Sequence, residues 1–151
     1  MLSVIRTDTT NEDFKKLVSL LDAELKELDG EDHSFYAPMN KISLLKYAVV
    51  VYEGDETVGC GALKEYEPGT MEVKRMYVPF NNRNRGIATR VLQELENWCR
   101  ELHYEKCILE TGKRQPDAIA LYTKNGYIGI PNFGPYAQDA NSLCFEKKLQ
   151  S

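Results

Sequence analysis

A strand that runs through a small basic loop into a long amphipathic helix constrains this chain more than any other feature. Glu72–Val78 reads as the strand, Arg83-Asn84-Arg85-Gly86-Ile87-Ala88 as the loop, and Gly86–Leu102 as the helix. Ala88, Val91, Leu92, Leu95, Trp98 and Leu102 recur at helical spacing, which gives the helix one apolar face to bury. A further strand, Lys106–Glu110, follows, so the helix is a crossover between strands of a sheet, and such a crossover makes a parallel pair. The helix start also has chemical consequences. The first N–H groups of a helix have no intrahelical partner and sit at the positive end of its dipole, where anions bind. Arg83, Arg85 and Arg90 gather there in a chain of formal net charge -4, so the local excess of positive charge points to a phosphate-bearing ligand.

The flanking segments read as alternating elements. Leu2–Arg6 is a short strand. Phe14, Leu17, Val18, Leu21, Leu25 and Leu28 follow helical spacing, with Asn11 as cap and Asp29-Gly30 as stop. Glu31–Asn40 is irregular and carries His33, Phe35, Tyr36 and Pro38; its aromatic residues either wall a binding site or pack on the core. Ala48–Tyr52 and Thr57–Glu65 are strands joined at Gly54-Asp55, and Glu72–Val78 follows Pro68-Gly69 to complete a meander. Ala118–Lys124 is a helix with Pro116 in its first turn and Asn125-Gly126 at its end. Tyr127–Ile130 and Leu143–Lys148 are the last strands. The order describes a mixed α/β sheet in a single domain, residues 1–151.

Several function classes drop out. The acidic balance argues against broad nucleic-acid binding. No run approaches the roughly 20 apolar residues of a membrane span. The first residues lack the basic region and apolar core of a signal peptide, so a cytoplasmic location is expected. Cys60, Cys99, Cys107 and Cys144 show no C-x-x-C spacing and read as reduced, buried thiols. Cys99 and His103 share a helix face at i and i+4, but no third and fourth ligand follow, so no metal is expected. Cys144 has no histidine nearby in sequence to activate it as a nucleophile. Gly112-Lys113 is followed by Arg114 where a Walker A loop needs Ser or Thr, and G-x-G-x-x-G is absent. What remains is R-x-x-G-x-A between a strand and a helix. Gly86 and Ala88 lack bulk and let backbone amides approach a pyrophosphate, to which Arg83 and Arg85 add charge-assisted hydrogen bonds.

Four pieces occur in order: Met71-Glu-Val-Lys-Arg-Met-Tyr-Val-Pro79, the loop Arg83–Ala88, Leu109-Glu-Thr-Gly112, and Ala120-Leu-Tyr-Thr-Lys-Asn-Gly-Tyr127. Together they resemble the GNAT superfamily of acetyl-CoA-dependent N-acetyltransferases. The resemblance runs from about Val49 to Leu149; the N-terminal third agrees only in general pattern. It implies a GNAT-like acyl-CoA N-acyltransferase fold: a mostly antiparallel, twisted central sheet with one splayed parallel pair, flanked by helices. It implies acetyl-CoA as acyl donor, with its pyrophosphate on the loop from Arg83 through Asn84, Arg85, Gly86, Ile87 and Ala88 to Thr89. Main-chain groups of Met76 and Val78 would bind the pantetheine arm, and an amide of Met76 or Tyr77 would polarise the thioester carbonyl. Gln115 and Ala118 would lie along the cofactor. Tyr122 occupies the family's general-acid position, and Glu72 a position where some members place a general base.

The chemistry fits those residue types. An alkylamine, with a pKa of about 10.4, arrives protonated and needs a base, which a buried Glu72 with a raised pKa would supply through water. A phenol near about 10 can donate to a thiolate whose conjugate thiol lies near about 8.5, the role of Tyr122. Glu72 could instead pair with Lys74, and Tyr122 could be a core tyrosine. Ile130-Pro-Asn-Phe-Gly-Pro-Tyr136, with Phe35 and Tyr36, is a candidate wall for the acceptor. Lys113 and Arg114 either meet an acidic group or form a solvated turn. The expected activity is direct transfer of acetyl from acetyl-CoA to a primary amine of a small molecule or peptide. The alternative is a non-catalytic acyl-CoA-binding or regulatory domain. No nucleic-acid or membrane partner is expected; the chain is a monomer, or a homodimer formed through an edge strand near the C-terminus.

Overall fold

A computed structural model describes residues 1–29 and 45–149. The segment Glu31–Asn40, with His33, Phe35 and Tyr36, lies outside the described residues. The elements are β1 (Leu2–Thr7), α1 (Glu12–Asp29), β2 (Tyr47–Glu53), β3 (Glu56–Glu67), β4 (Thr70–Tyr77), α2 (Ile87–Glu101), β5 (Lys106–Gly112), α3 (Pro116–Lys124), β6 (Ile128–Ile130) and β7 (Ser142–Lys148). Single turns of 3-10 helix occupy Phe80–Asn82 and Gly134–Tyr136.

Local signals set most boundaries. Asn11 Oδ1 accepts the Phe14 N–H at 2.9 Å, the side-chain cap expected at the start of α1. At the other end of the expected crossover helix the limits contract to Ile87–Glu101, because Gly86 (φ 79°) and His103 (φ 66°) both adopt left-handed backbone. Cys99 and His103 therefore do not share one helix face. The Cys99 thiol instead faces Cys107, whose Sγ–H points to it across 3.6 Å.

The sheet order is β1-β2-β3-β4-β5-β7-β6. β1–β2, β2–β3, β5–β7 and β6–β7 are antiparallel, and β4–β5 is parallel, with Thr70, Met71 and Glu72 opposite Lys106, Cys107 and Ile108. A mostly antiparallel sheet with one parallel pair is what the resemblance implies. Towards its C-terminal edge β7 inserts between β5 and β6. The edge there is the three-residue β6, not the final strand.

Two compact units divide the chain: Met1–Lys64 with Lys74–Leu95, and Glu65–Val73 with Glu96–Ser151. In the first, Phe14, Leu17 and Val18 of α1 pack with Ala48, Val50, Cys60 and Ala62. On the opposite face of β3 a glycine admits α2. A Cβ on Gly61 would stand 2.7 Å from Met76 Sδ, 2.8 Å from Val91 Cγ1 and 3.0 Å from Leu95 Cδ1, closer than side chains tolerate.

In the second unit, Cys107, Ile108 and Leu109 of β5 and Cys144 and Phe145 of β7 are buried. Glu96 is buried with them and is satisfied by Tyr127 Oη–H and Lys147 Nζ, both at 2.9 Å. All four cysteines are free and buried. No helix among the described residues is long and apolar enough to cross a membrane.

Candidate active site

The loop leaves β4 through Pro79 and the 3-10 turn and enters α2 through two left-handed residues, Asn84 (φ 63°) and Gly86 (φ 79°). Asparagine and glycine are the residues that adopt this backbone most readily, so the sequence specifies the turn. The Arg90 N–H donates to Gly86 O at 3.0 Å and opens the ladder of α2, so the amides of Ile87 and Ala88 precede its first donor. The space into which a Cβ at Gly86 would project is open. Such a bare, amide-bearing turn on a helix N-terminus fits a pyrophosphate.

The arginines of the loop are committed elsewhere. Arg83 donates from Nη2 to both oxygens of Glu24 on α1, at 2.8 and 3.0 Å, and from Nε to Val78 O at 2.8 Å. Its guanidinium also lies 5.7 Å from the ring centroids of Tyr77 and of Phe80. Arg85 pairs with Glu53 at the end of β2 and donates to Asn82 Oδ1 at 3.1 Å. Both guanidiniums thus face carboxylates of neighbouring elements. Arg83 anchors the loop to α1 and occupies the Val78 carbonyl, one of the main-chain groups expected along the pantetheine arm. Glu24 and Glu53, the partners, carry no local sequence signal.

On β4 itself, Met76 faces Gly61 while Tyr77 packs against the core of the first unit. Burial, with Glu24 next in weight, raises the Tyr77 phenol above its ordinary pKa. Thr89 is half-buried one position after Ala88.

The second unit holds the residues expected to act on protons. Tyr122 lies on α3, buried, with its ring edge-on to Tyr127 at a centroid distance of 5.8 Å. Burial, with the Glu110 charge added, pushes its phenol well above the ordinary range. Among the described residues its hydroxyl has no hydrogen-bond partner. Glu72 is buried on β4, opposite Ile108. Gln115 caps α3, its carbonyl accepting the Ile119 N–H at 3.1 Å, and its amide nitrogen lies against Gly112; Ala118 is half-buried one turn along. Lys113 and Arg114 are exposed on the turn between β5 and α3.

Glu110 is the residue that sequence reading missed. It accepts from Ser142 Oγ at 2.6 Å, and the same hydroxyl lies 2.8 Å from Asp139 Oδ2, so two carboxylates share one proton donor. Its charge reaches three buried groups, Tyr122, Tyr136 and Cys144, each raised first by burial and further by Glu110. Glu72 acts on the last two of these as well. Two acids thus bracket Tyr136, which the candidate acceptor loop delivers through the Gly134–Tyr136 turn. That loop is held by edge-on rings, Tyr66–Phe133 at 5.2 Å and Phe133–Tyr136 at 5.7 Å. The signal for Glu110 was the Leu109-Glu-Thr-Gly112 motif; its chemistry needed the partner strand β7.

Residues 14–127 match the Acetyltransferase (GNAT) family, a span that takes in the loop Arg83–Ala88, Glu72 and Tyr122. The chain belongs to the GNAT acetyltransferase family. This GNAT acetyltransferase is 40% identical over 102 residues to the IAA acetyltransferase of Azospirillum brasilense, covering 67% of each chain. It is 34% identical, with a TM-score of 0.83 and 99% of each chain covered, to a solved structure from Klebsiella pneumoniae described as a candidate acyl-CoA N-acyltransferase. A GNAT acetyltransferase from Elizabethkingia anophelis, solved with acetyl-CoA bound, shares the fold at a TM-score of 0.70 and 16% identity, over 98% of each chain. The GNAT fold of this acetyltransferase is the seven-stranded sheet with its parallel β4–β5 pair.

Proposed function

We propose that this GNAT acetyltransferase moves the acetyl group of acetyl-CoA directly onto a primary amine of a small molecule or peptide. One observation carries the donor: the left-handed turn at Asn84 and Gly86 leaves a helix N-terminus whose leading amides sit beside open space. The Arg85–Ala88 amides hold the pyrophosphate, while Arg83 and Arg85 fix the loop through Glu24 and Glu53. The Met76 and Tyr77 amides face the thioester carbonyl, and Gln115 and Ala118 line the cofactor.

In this scheme Glu72 takes a proton from the arriving ammonium through water, and the freed amine attacks the thioester carbon. The C–N bond forms as the C–S bond breaks, the thiolate receives a hydrogen bond and then a proton from Tyr122, and the surplus proton of the new amide nitrogen restores the phenol. A phenol raised by burial is a poor source of a free proton but a good donor to a developing anion, so Tyr122 stabilises the thiolate before it protonates it. The negative potential of Glu110 favours an acceptor whose amine arrives as an ammonium. No metal takes part in these steps.

An acceptor panel incubated with acetyl-CoA and followed by free-thiol release tests the activity. Amine-dependent release is expected, and acetyl-CoA binding without release on any amine would overturn it. Glu72→Gln should lower turnover most near neutral pH. Wild-type turnover of that variant across roughly pH 6–9 would remove Glu72 from the mechanism.

A further inference from the structure

Arg75 stands out in the first unit. It lies within β4 yet has φ 58°, a left-handed backbone that a long side chain adopts only at a cost. The bend sends Met76 towards Gly61 and the Arg75 side chain to α1. There the guanidinium is buried, at 4% side-chain exposure, and Nη2 donates to Asp22 Oδ1 at 2.6 Å. Nε and Nη1 are equally buried and, among the described residues, have no hydrogen-bond partner.

A guanidinium carries five N–H donors, and those on Nε and Nη1 lack an acceptor among the described residues. Buried donors in proteins are almost always paired, because each unpaired one retains its full desolvation cost. An apolar side chain of the same length would fill this position without that cost. The strained backbone and the unsatisfied donors therefore both point to an anion that completes the site. Access is short: Asp22, the partner, is half-exposed at 49%, so the guanidinium lies one hydrogen bond below the surface of α1.

Building on the transferase activity proposed above, we propose that Arg75 reads a carboxylate on the acetyl acceptor, so that the acceptor is an amino carboxylic acid rather than a simple amine. A carboxylate is planar and two-pronged, the shape a guanidinium fork matches. The zwitterion adds no net charge to the neutral Arg75–Asp22 pair. Arg75 also adjoins Met76, whose amide is proposed to face the thioester, so the acceptor's acid group and the thioester would be held by neighbouring residues of one strand.

Amino acids each paired with their carboxamide test this in two arms. In the first, kcat/KM is measured by thiol release from acetyl-CoA. The wild type should favour the acid by about 100-fold, the scale of a charge-assisted hydrogen bond. Arg75→Met should reduce that ratio to about threefold or less, and Arg75→Lys, which keeps charge but loses the fork, should fall between. In the second arm, thermal stabilisation by N-acetyl amino acids is compared with that by their carboxamides, with no turnover involved. Asp22→Asn, at a half-exposed position, should tighten the acids and leave the carboxamides unchanged, and it serves where Arg75→Met does not fold. Equal use and equal binding of acid and carboxamide by the wild type, or a preference that survives in folded Arg75→Met and Arg75→Lys, overturns the proposal. Acid-selective stabilisation that disappears with Arg75, alongside no thiol release on any amine, would uphold the carboxylate site and overturn the transfer activity instead.

Discussion

The loop Arg83–Ala88 and the Tyr122 region differ in how their charges are balanced. In the loop the charges of two arginines are already balanced: Arg83 by Glu24, Arg85 by Glu53. These pairs are partly exposed, so they serve geometry more than stability. An anion arriving here would meet the backbone, whose amides do not titrate. Around Tyr122 the reverse holds. Tyr122, Tyr127 and Tyr136 are buried, and burial with nearby carboxylates holds their protons tightly. A binding loop needs fixed dipoles, whereas a proton-handling site needs groups displaced from their ordinary pKa.

The contrast can be broken most sharply at Tyr122. Tyr122→Phe should lower kcat tenfold or more (about 1.4 kcal/mol or above in the barrier) while acetyl-CoA affinity changes little; an unchanged kcat would reduce Tyr122 to a packing residue. Gly86→Ala attacks the other side of the contrast. Left-handed backbone costs an L-residue roughly 1–2 kcal/mol, so KM for acetyl-CoA should rise about tenfold with kcat nearly constant, read from initial rates at saturating acceptor.

The two regions should also respond to opposite ends of the pH scale. The buried tyrosines have folded pKa values above the unfolded value of about 10, so their stabilisation is complete below that pH. Above it the unfolded chain gives up protons that the native protein retains, and unfolding is favoured, by up to about 1.4 kcal/mol per pH unit for each fully buried group. Urea unfolding between roughly pH 8 and 11 should show this decline, and Tyr136→Phe should flatten it. Glu53 is shifted the other way: its hydrogen bond from Arg85 lowers its pKa, so that pair is present at neutral pH and is lost only as the solution becomes acidic. The smallest effect belongs to this pair. Glu53→Gln should leave both the melting temperature and the acetyl-CoA KM essentially unchanged. A strong rise in KM would mean that Arg85 placement is part of phosphate binding after all.

Much of the loop was legible because its determinants are neighbours in sequence. Gly86 can adopt φ 79° whatever surrounds it, and the apolar face of α2 repeats within a few turns. The same holds for Asn11 at the start of α1 and Pro116 at the start of α3. Glu110 was legible only as part of a motif. Its role depends on Ser142 and Asp139, brought beside it when β7 pairs with β5 at Glu110–Cys144 and Gly112–Ser142. Arg75 gave no signal at all, since nothing about an arginine in a strand announces a left-handed backbone or a buried, under-partnered guanidinium.

By itself the sequence determined which segments form strands and helices, the parallel crossover, the turn that opens α2 and the family. Those are matters of local backbone preference and of hydrophobic period, both written in consecutive residues. The tertiary structure decided where β7 inserts, that Arg83 and Arg85 answer to Glu24 and Glu53, and that Glu110 and Arg75 are the charged groups to watch. The physical reason is that a charge acquires its pKa, its partner and its cost from what is packed around it. For Arg83 and Glu24 that partner lies 59 positions away along the chain, a distance over which no local pattern carries information.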